Sequence, residues 1–179
     1  MTREDKLIQK MNQGDRDAVD ELMAMYYPDI LRYCLWHAPN RSLAEDITQE
    51  TFLKAVRYFD RHAHKGSLKP FLYQIAKNTC IDMYRKNKLS DMPLDDMAAD
   101  IPYQEPGFDE IGADMALRQL IDSLSASAQE ILLLRFGHDL TIREIGEILN
   151  LPHRTVQSRL RAALKKIKKD LEQQEGGTS

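Results

Sequence analysis

An all-α architecture of two helical domains joined by an acidic tether follows from three features of the 179-residue chain. Apolar residues recur at helical spacing through residues 1–89 and again through 117–169, and no convincing alternating strand pattern interrupts them. Residues 90–116 hold eight acidic side chains and no Lys or Arg, with Pro93, Pro102, Pro106, Gly107 and Gly112 among them. Thr141 to Lys169 then has the outline of a helix, a three-residue turn and a second helix. The expected domains are therefore 1–89 and 117–179, the second ending in a disordered tail over Gln173 to Ser179, with 90–116 between them.

The first domain reads as four helices: Asp5 to Met11, Asp17 to about His37, Ser42 to about Phe59 and Leu68 to about Lys88. Gly14, Pro39-Asn40 and Gly66 punctuate the gaps, and Ser42 with Glu45 has the spacing of a capping box. Four helices of this length make a compact all-α domain. On the third helix Asp46, Gln49 and Glu50 share an exposed side, while Ile47, Phe52, Val56 and Phe59 supply apolar packing. Taken alone these carboxylates read as an ordinary solvated face. Beside a protruding Phe52 they also suit a partner's basic coiled coil. The fourth helix is more telling. Leu72, Ile75, Ala76, Thr79 and Met83 form its buried side, leaving Tyr73, Lys77, Asn78, Ile81, Tyr84, Arg85 and Lys88 outward. Aromatic rings beside cations are what single-stranded DNA binding requires, because bases stack on rings while cations track phosphates. An amide such as Asn78 can hydrogen-bond an extruded base.

Residues 90–116 are too long for an ordinary loop inside one compact domain, which favours two tethered domains. Such an acidic strand is either a solvated spacer or a segment able to lie in a positively charged channel of a partner.

In the C-terminal domain a helix opens at Thr141, with Glu144 completing a capping box and Ile142, Ile145, Ile148 and Leu149 at helical spacing. Asn150-Leu151-Pro152 breaks it, and a second helix begins at Pro152, where a missing N–H is tolerated. Val156, Leu160, Ala163, Leu164 and Ile167 make its apolar stripe. Arg154, Gln157, Ser158, Arg161, Lys165 and Lys168 fall on the opposite side, with Arg159 at the flank. From His153 to Lys169 there are seven Lys or Arg and no Asp or Glu, although the whole chain carries a net charge of −3. A local concentration of charge outweighs net charge for nucleic-acid binding. Arg and Gln near the start of such a helix can reach base edges in the major groove, and the later Lys residues can neutralise phosphates. A solvated helix with cations suited to its own dipole accounts for Lys165 to Lys169 but not for the capped partner helix, the Pro turn or Arg154.

Only two cysteines occur, Cys34 and Cys80, with no disulfide framework, so a reducing cytoplasm is the expected setting. Neither a signal segment nor an apolar run of membrane-spanning length is present. Cys34 with His37, and His62 with His64, have ligand-like spacing, but few other candidate ligands accompany them. No phosphate-cradling Gly loop, nucleophile elbow or catalytic carboxylate pair occurs. No catalytic residue, metal, cofactor or small-molecule substrate is expected.

Two segments carry a family resemblance: Ala44 to Ala55, reading AEDITQETFLKA, and Phe71 to Asn78 followed by Ile81 to Lys86. They resemble conserved region 2 of the extracytoplasmic-function (group 4) sigma factors of bacterial RNA polymerase. Gln129 to Phe136, Thr141 to Leu149 and Pro152 to Leu164 resemble region 4 of that family. The resemblance implies a promoter-specificity subunit with no chemistry of its own. It implies that Asp46, Gln49, Glu50 and Phe52 bind the clamp helices of the polymerase's largest subunit. Asn78, Asp82, Arg85 and Lys86, with the loop before Leu68, would handle the −10 element as it melts, joined by Tyr73 and Lys77 from the residue pattern. Arg154, Gln157, Ser158, Arg159 and Arg161 would read the −35 element, with Lys165 on the same face. Gln129 to Phe136 would meet the flap of the second-largest subunit, the tether would occupy the RNA exit path, and an anti-sigma partner would mask these surfaces. Where the family has Phe-x-x-Trp leading into the fourth helix, this chain has Leu68, Pro70 and Phe71. Arg154 and Gln157 stand where Gly and Lys are common, so the −35 sequence does not follow from the family.

The main alternative is a stand-alone helix-turn-helix regulator, which would bind two half-sites as a dimer. Nothing in the sequence offers a dimer seam, and the cationic, aromatic fourth helix would then have no purpose.

Overall fold

A computed structural model describes residues 1–89 and 115–177. Every regular element among them is helical. The chain divides into two compact units, and each is taken by itself. The acidic segment lies outside the described residues, except that its last two positions, Met115 and Ala116, already belong to a helix.

The N-terminal unit contains α1 (Arg3–Asn12), α2 (Arg16–His37), α3 (Arg41–Phe59) and α4 (Leu68–Leu89). Helix α1 begins earlier than the apolar spacing suggests because Thr2 and Asp5 form a capping box. Asp15 caps α2 by accepting from the Ala18 N–H at 3.2 Å. Helix α2 runs through Pro28, whose missing N–H would otherwise bond a carbonyl one turn back. The expected Ser42–Glu45 box does not form. Asn40 is the cap instead, accepting from the Leu43 N–H at 2.8 Å, and Glu45 pairs with Arg41 at 2.9 Å. An Asn that precedes the helix by one residue competes well for the cap, and it leaves Ser42 inside the first turn.

Helices α2, α3 and α4 pack against one another and α1 packs on α2. Leu22, Ile30, Tyr33, Ala44, Leu68, Leu72 and Ala76 are buried among them. Three threonines lie in this apolar interior. Thr48, Thr51 and Thr79 each donate to the carbonyl one turn back, at 2.7, 2.7 and 2.8 Å, so no hydroxyl is left unsatisfied.

The C-terminal unit contains α5 (Met115–Asp122), α6 (Ala126–Leu132), a π-helical turn over Leu133–Gly137, α7 (Ile142–Leu149) and α8 (His153–Gly176). Ile131, Leu134, Leu140, Ile145, Ile148 and Val156 form its core. Leu124, Leu132 and Ala163 make a second cluster, backed by Ala128, Leu160 and Ile167, that joins α8 to the α5–α6 side.

Candidate nucleic-acid interface

The expected capping box of α7 is present: Thr141 accepts from the Glu144 N–H at 3.1 Å, and Glu144 accepts from the Thr141 N–H at 3.1 Å. The helix stops at Asn150, which adopts left-handed backbone (φ 54°) and, with Leu151, donates to the Gly146 carbonyl. Asn tolerates that conformation better than most residues. Pro152 precedes α8 rather than opening it, and its carbonyl accepts from the Thr155 and Val156 N–H groups. Gly146 is what lets the turn fold back. A Cβ there would lie 2.7 Å from the Leu151 carbonyl oxygen, closer than real contacts allow. A glycine interrupting an otherwise strong helical pattern was the available sequence signal for this close approach.

On α8, Val156 and Ala163 are buried and Leu160 and Ile167 half-buried. Leu164 corrects the expected stripe: it is 42% exposed, at the edge of the stripe and not within it. Arg154, Gln157, Ser158, Arg161, Lys165 and Lys168 are all exposed, as the spacing requires. Arg159 is exposed too but already has work: its guanidinium donates to Ser127 Oγ at 2.9 Å. Lys166 donates to the Ser123 carbonyl at 3.2 Å. These two cations tie the flank of α8 to the α5–α6 side and hold the opposite face outward.

In the N-terminal unit α4 departs from expectation at Tyr73. The ring is fully buried and meets Tyr33 of α2 edge-on, with centroids 5.6 Å apart. Helix α4 is covered by both α2 and α3, so its apolar arc is wider than a one-sided stripe and takes in residue 73. Its outer surface carries Gln74, Asn78, Ile81, Asp82, Tyr84, Arg85 and Lys86 among the described side chains, with Lys77 half-buried. Tyr84, 63% exposed, is the aromatic platform that Tyr73 cannot be. Asp82 faces Lys54 of α3 at 3.7 Å, and Lys54 also donates to Thr79 Oγ1 at 3.2 Å. The side chain of Lys88 lies outside the described residues.

The loop before Leu68 is held by a clamp that sequence spacing does not show. Asn12, at the end of α1, accepts from the His64 N–H at 2.9 Å and donates to the His64 carbonyl at 2.8 Å. Around it, Tyr58 stacks on His62 (4.6 Å), while Phe71 contacts Tyr58 (4.9 Å), Phe59 (5.5 Å) and His64 (5.2 Å). The recurrence of rings between positions 58 and 71 was the signal. His64 is buried and its Nε2 lies 3.1 Å from the Ser67 carbonyl.

On α3, Asp46 and Gln49 are exposed and Glu50 half-buried. Phe52 does not protrude: it is 8% exposed and stacks on Tyr27 of α2 at 5.7 Å. The stack turns Phe52 into the floor of a groove of about 450 Å³, flanked by Met23, Tyr27, Gln49, Leu53 and Val56. Leu53, 50% exposed, is the apolar residue that stands out instead. In the Gln129 to Phe136 segment, Ile131 to Leu134 are buried, and Phe136 is 60% exposed at the π-helical turn, with the Arg135 guanidinium 6.0 Å from its ring.

Cys34 of α2 is buried and engages Cys80 of α4 rather than His37. Hydrogen bonding with Cys80 foremost, and with Thr48 after it, holds the Cys34 thiol below its ordinary range, against the opposing effect of burial. Among the described residues no cluster of three or more His, Cys, Asp or Glu is arranged to hold a metal ion.

Comparison with known proteins divides the chain along the same lines. Residues 22–89 match the sigma-70 region 2 family and residues 120–169 the sigma-70 region 4 family. The chain is 31% identical to the ECF RNA polymerase sigma factor SigW of Bacillus subtilis, over 93% of this chain and 97% of that one. It is 29% identical to SigM of the same organism, over 84% and 93%. Among solved structures, CnrH in complex with the cytosolic domain of CnrY shares the fold at TM-score 0.67 and 17% identity, over 93% and 95% of the two chains. The sigma factor RpoE in complex with the anti-sigma factor NepR from Bartonella quintana does so at 0.60 and 17%, over 86% and 96%.

Proposed function

The chain belongs to the extracytoplasmic-function sigma factors of the sigma-70 family, and from that membership we propose how its residues divide the work of promoter recognition. It is a promoter-specificity subunit of RNA polymerase and not an enzyme. Its partners are core RNA polymerase and promoter DNA.

Arg154, Gln157, Ser158 and Arg161 face the −35 duplex and read base edges from the first two turns of α8. Lys165 holds phosphate further along, and Arg159 joins them only by giving up its bond to Ser127. The observation that carries this reading is the outward row of α8 from Arg154 to Lys168, free of carboxylates over that stretch and braced from behind by Arg159 and Lys166. On α4, Lys77, Asn78, Arg85 and Lys86 meet the −10 strand as it separates, Tyr84 offers a stacking surface, and Asp82 holds the helix to Lys54. Captured bases lower the free energy of the open state, which is how a protein without catalytic groups promotes melting. Asp46, Gln49 and Glu50, beside the groove floored by Phe52, receive the polymerase clamp helices, and Phe136 with its neighbours meets the flap.

The domains run over 1–89 and from the start of α5 at Met115 onward, and the acidic segment between them follows the RNA exit path. No helix among the described residues is long and apolar enough to cross a membrane. The protein acts in the cytoplasm, where its polymerase is, and an anti-sigma factor covers the α3 groove and the region 4 face when it is idle.

Run-off transcription with purified core polymerase on a library of random upstream sequences tests the reading. Discrete new start sites that depend on this protein, with two separated sequence elements upstream, are expected. Absence of initiation together with tight duplex binding by the protein alone would replace the reading with a stand-alone regulator.

A further inference from the structure

We propose that Asn12 is a positioning residue for promoter opening: from the end of α1 it fixes the backbone of the loop over residues 60–67, and through that loop it sets how the −10 strand is read. The inference rests on the reading of α4, and of the loop leading into it, as the −10 surface. Asn12 lies before residue 22, where the region 2 match begins, so the family pattern does not include it.

The contact has two points. The Asn12 side-chain oxygen accepts from the His64 N–H at 2.9 Å, and its amide nitrogen donates to the His64 carbonyl at 2.8 Å. A backbone N–H can only donate and a carbonyl can only accept, so these partners fix the orientation of the amide. One side chain thereby satisfies both backbone groups of a residue outside any helix. Asn fits the task where near relatives do not: Asp lacks the donor, and Gln carries its amide one carbon further out.

Asp60 to Ser67 separate α3 from α4, and His64 is the one buried residue among them. Its ring meets Phe59 edge-on at 5.7 Å and lies tilted against Phe71 of α4 at 5.2 Å. Ring and backbone of His64 are therefore both held. Arg61, His62 and Lys65 stay in solvent on either side of it, and His62 stacks on the exposed ring of Tyr58 at 4.6 Å. Rings beside cations suit a separating strand, and their placement depends on the residue between them. Helix α1 is secured without Asn12. Leu7, Ile8 and Met11 are buried, Tyr26 of α2 donates to Glu4 at 2.5 Å, and Arg3 pairs with Glu21. Loss of the amide thus releases the loop and leaves α1 on α2, and a loosened contact surface loses discrimination.

The test compares holoenzymes built from core polymerase and the full chain, unsubstituted or carrying Asn12→Ala or Asn12→Asp, in run-off transcription on the library of random upstream sequences. In Asn12→Ala the preference for favoured over unfavoured −10 bases is expected to fall about tenfold, equivalent to two hydrogen bonds of ordinary net strength. Asn12→Asp keeps the shape of Asn but sets a carboxylate oxygen against the His64 carbonyl, and should lose as much. The −35 element should be unchanged in both. A residue that only stabilised the unit would lower transcript from all promoters and leave both elements intact, and an intact −10 preference in the variants overturns the proposal. If the unsubstituted protein itself selects no −10 element, the −10 reading fails and the proposal goes with it. Hydrogen exchange on the unsubstituted chain needs no variant: the His64 amide should exchange slowly between faster neighbours at Ala63 and Lys65. A His64 amide as fast as theirs overturns the clamp.

Discussion

Helices α4 and α8 both present cations to solvent, but they are covered to different extents. Helix α8 meets its unit along one side, so a stripe of Val156, Leu160, Ala163 and Ile167 suffices and the opposite row is free to be uniformly polar. Helix α4 is flanked by α2 and α3 and buries Leu68, Leu72, Tyr73, Ala76 and Thr79, which leaves a narrower outer strip of mixed character. The difference suits the two targets. A stiff duplex groove accepts a long, evenly charged helix edge and weakens steeply with salt as counterions return. A separating strand needs a few specific ring, amide and cation contacts on a rigid base. Coverage, more than composition, decides how much of a helix is available for recognition.

The largest effect that would break this contrast concerns Tyr73. If it is core, Tyr73→Ala should destabilise the N-terminal unit by about 3–5 kcal/mol, as large aromatic deletions do. Urea unfolding of the full chain should show the loss. Unchanged stability with weakened promoter opening would return Tyr73 to the DNA face.

Next comes Gly146→Ala. The added methyl meets backbone, not a movable side chain, so a destabilisation of about 3 kcal/mol is expected, near the upper end for overpacking. It should appear in the C-terminal unit and abolish −35 binding, with little change in the N-terminal transition. A stable variant with normal duplex affinity would show that the turn can shift.

Within α8 the division of labour is sharper still. Arg154→Ala should relax sequence preference at one or two −35 positions by about 1–3 kcal/mol, while Lys165→Ala weakens all promoters alike and lowers the salt slope by about one. Binding measured across a promoter library at several salt concentrations separates the two. Equal loss of preference from both would remove the distinction between reading and anchoring.

The smallest effect lies at the edge of the N-terminal unit. Hydrogen bonds from the Thr2 backbone and side chain hold the Asp5 carboxyl below its ordinary range. A depressed carboxyl stabilises the capped helix above the ordinary carboxylate range, and that contribution is lost as pH falls through the folded-state value. Fraying of α1 in acid, seen in helical chemical shifts of residues 3–6 and absent in Asp5→Asn, is expected while α8 stays unchanged.

Much of this molecule was legible from residue order. Spacing alone placed the four helices of the N-terminal unit within a few residues, the Thr141–Glu144 cap and the outward row of α8. Helix α8 itself runs on to Gly176, where its chain of polar residues keeps helical form instead of giving way to the expected disordered tail. Failures came where a partner element intervened. Tyr73 lay on the wrong side because α4 has two neighbours, and Phe52 was read as protruding because nothing in α3 announces Tyr27 of α2. Ser42 lost its cap to Asn40, a contest between near neighbours that propensity alone ranks poorly.

What the residue order determined by itself are features governed by neighbours three or four positions apart, because helical period, capping and the one-sided charge of α8 all act over that range. Three features waited for the tertiary structure. They are the Asn12 clamp on His64, the meeting of Cys34 with Cys80, and the Leu151 carbonyl pressed against Gly146. The first two join residues dozens of positions apart, and the third depends on how sharply the chain reverses after α7. Such contacts are set by how helices pack and turn on one another, which the spacing within any one helix does not encode.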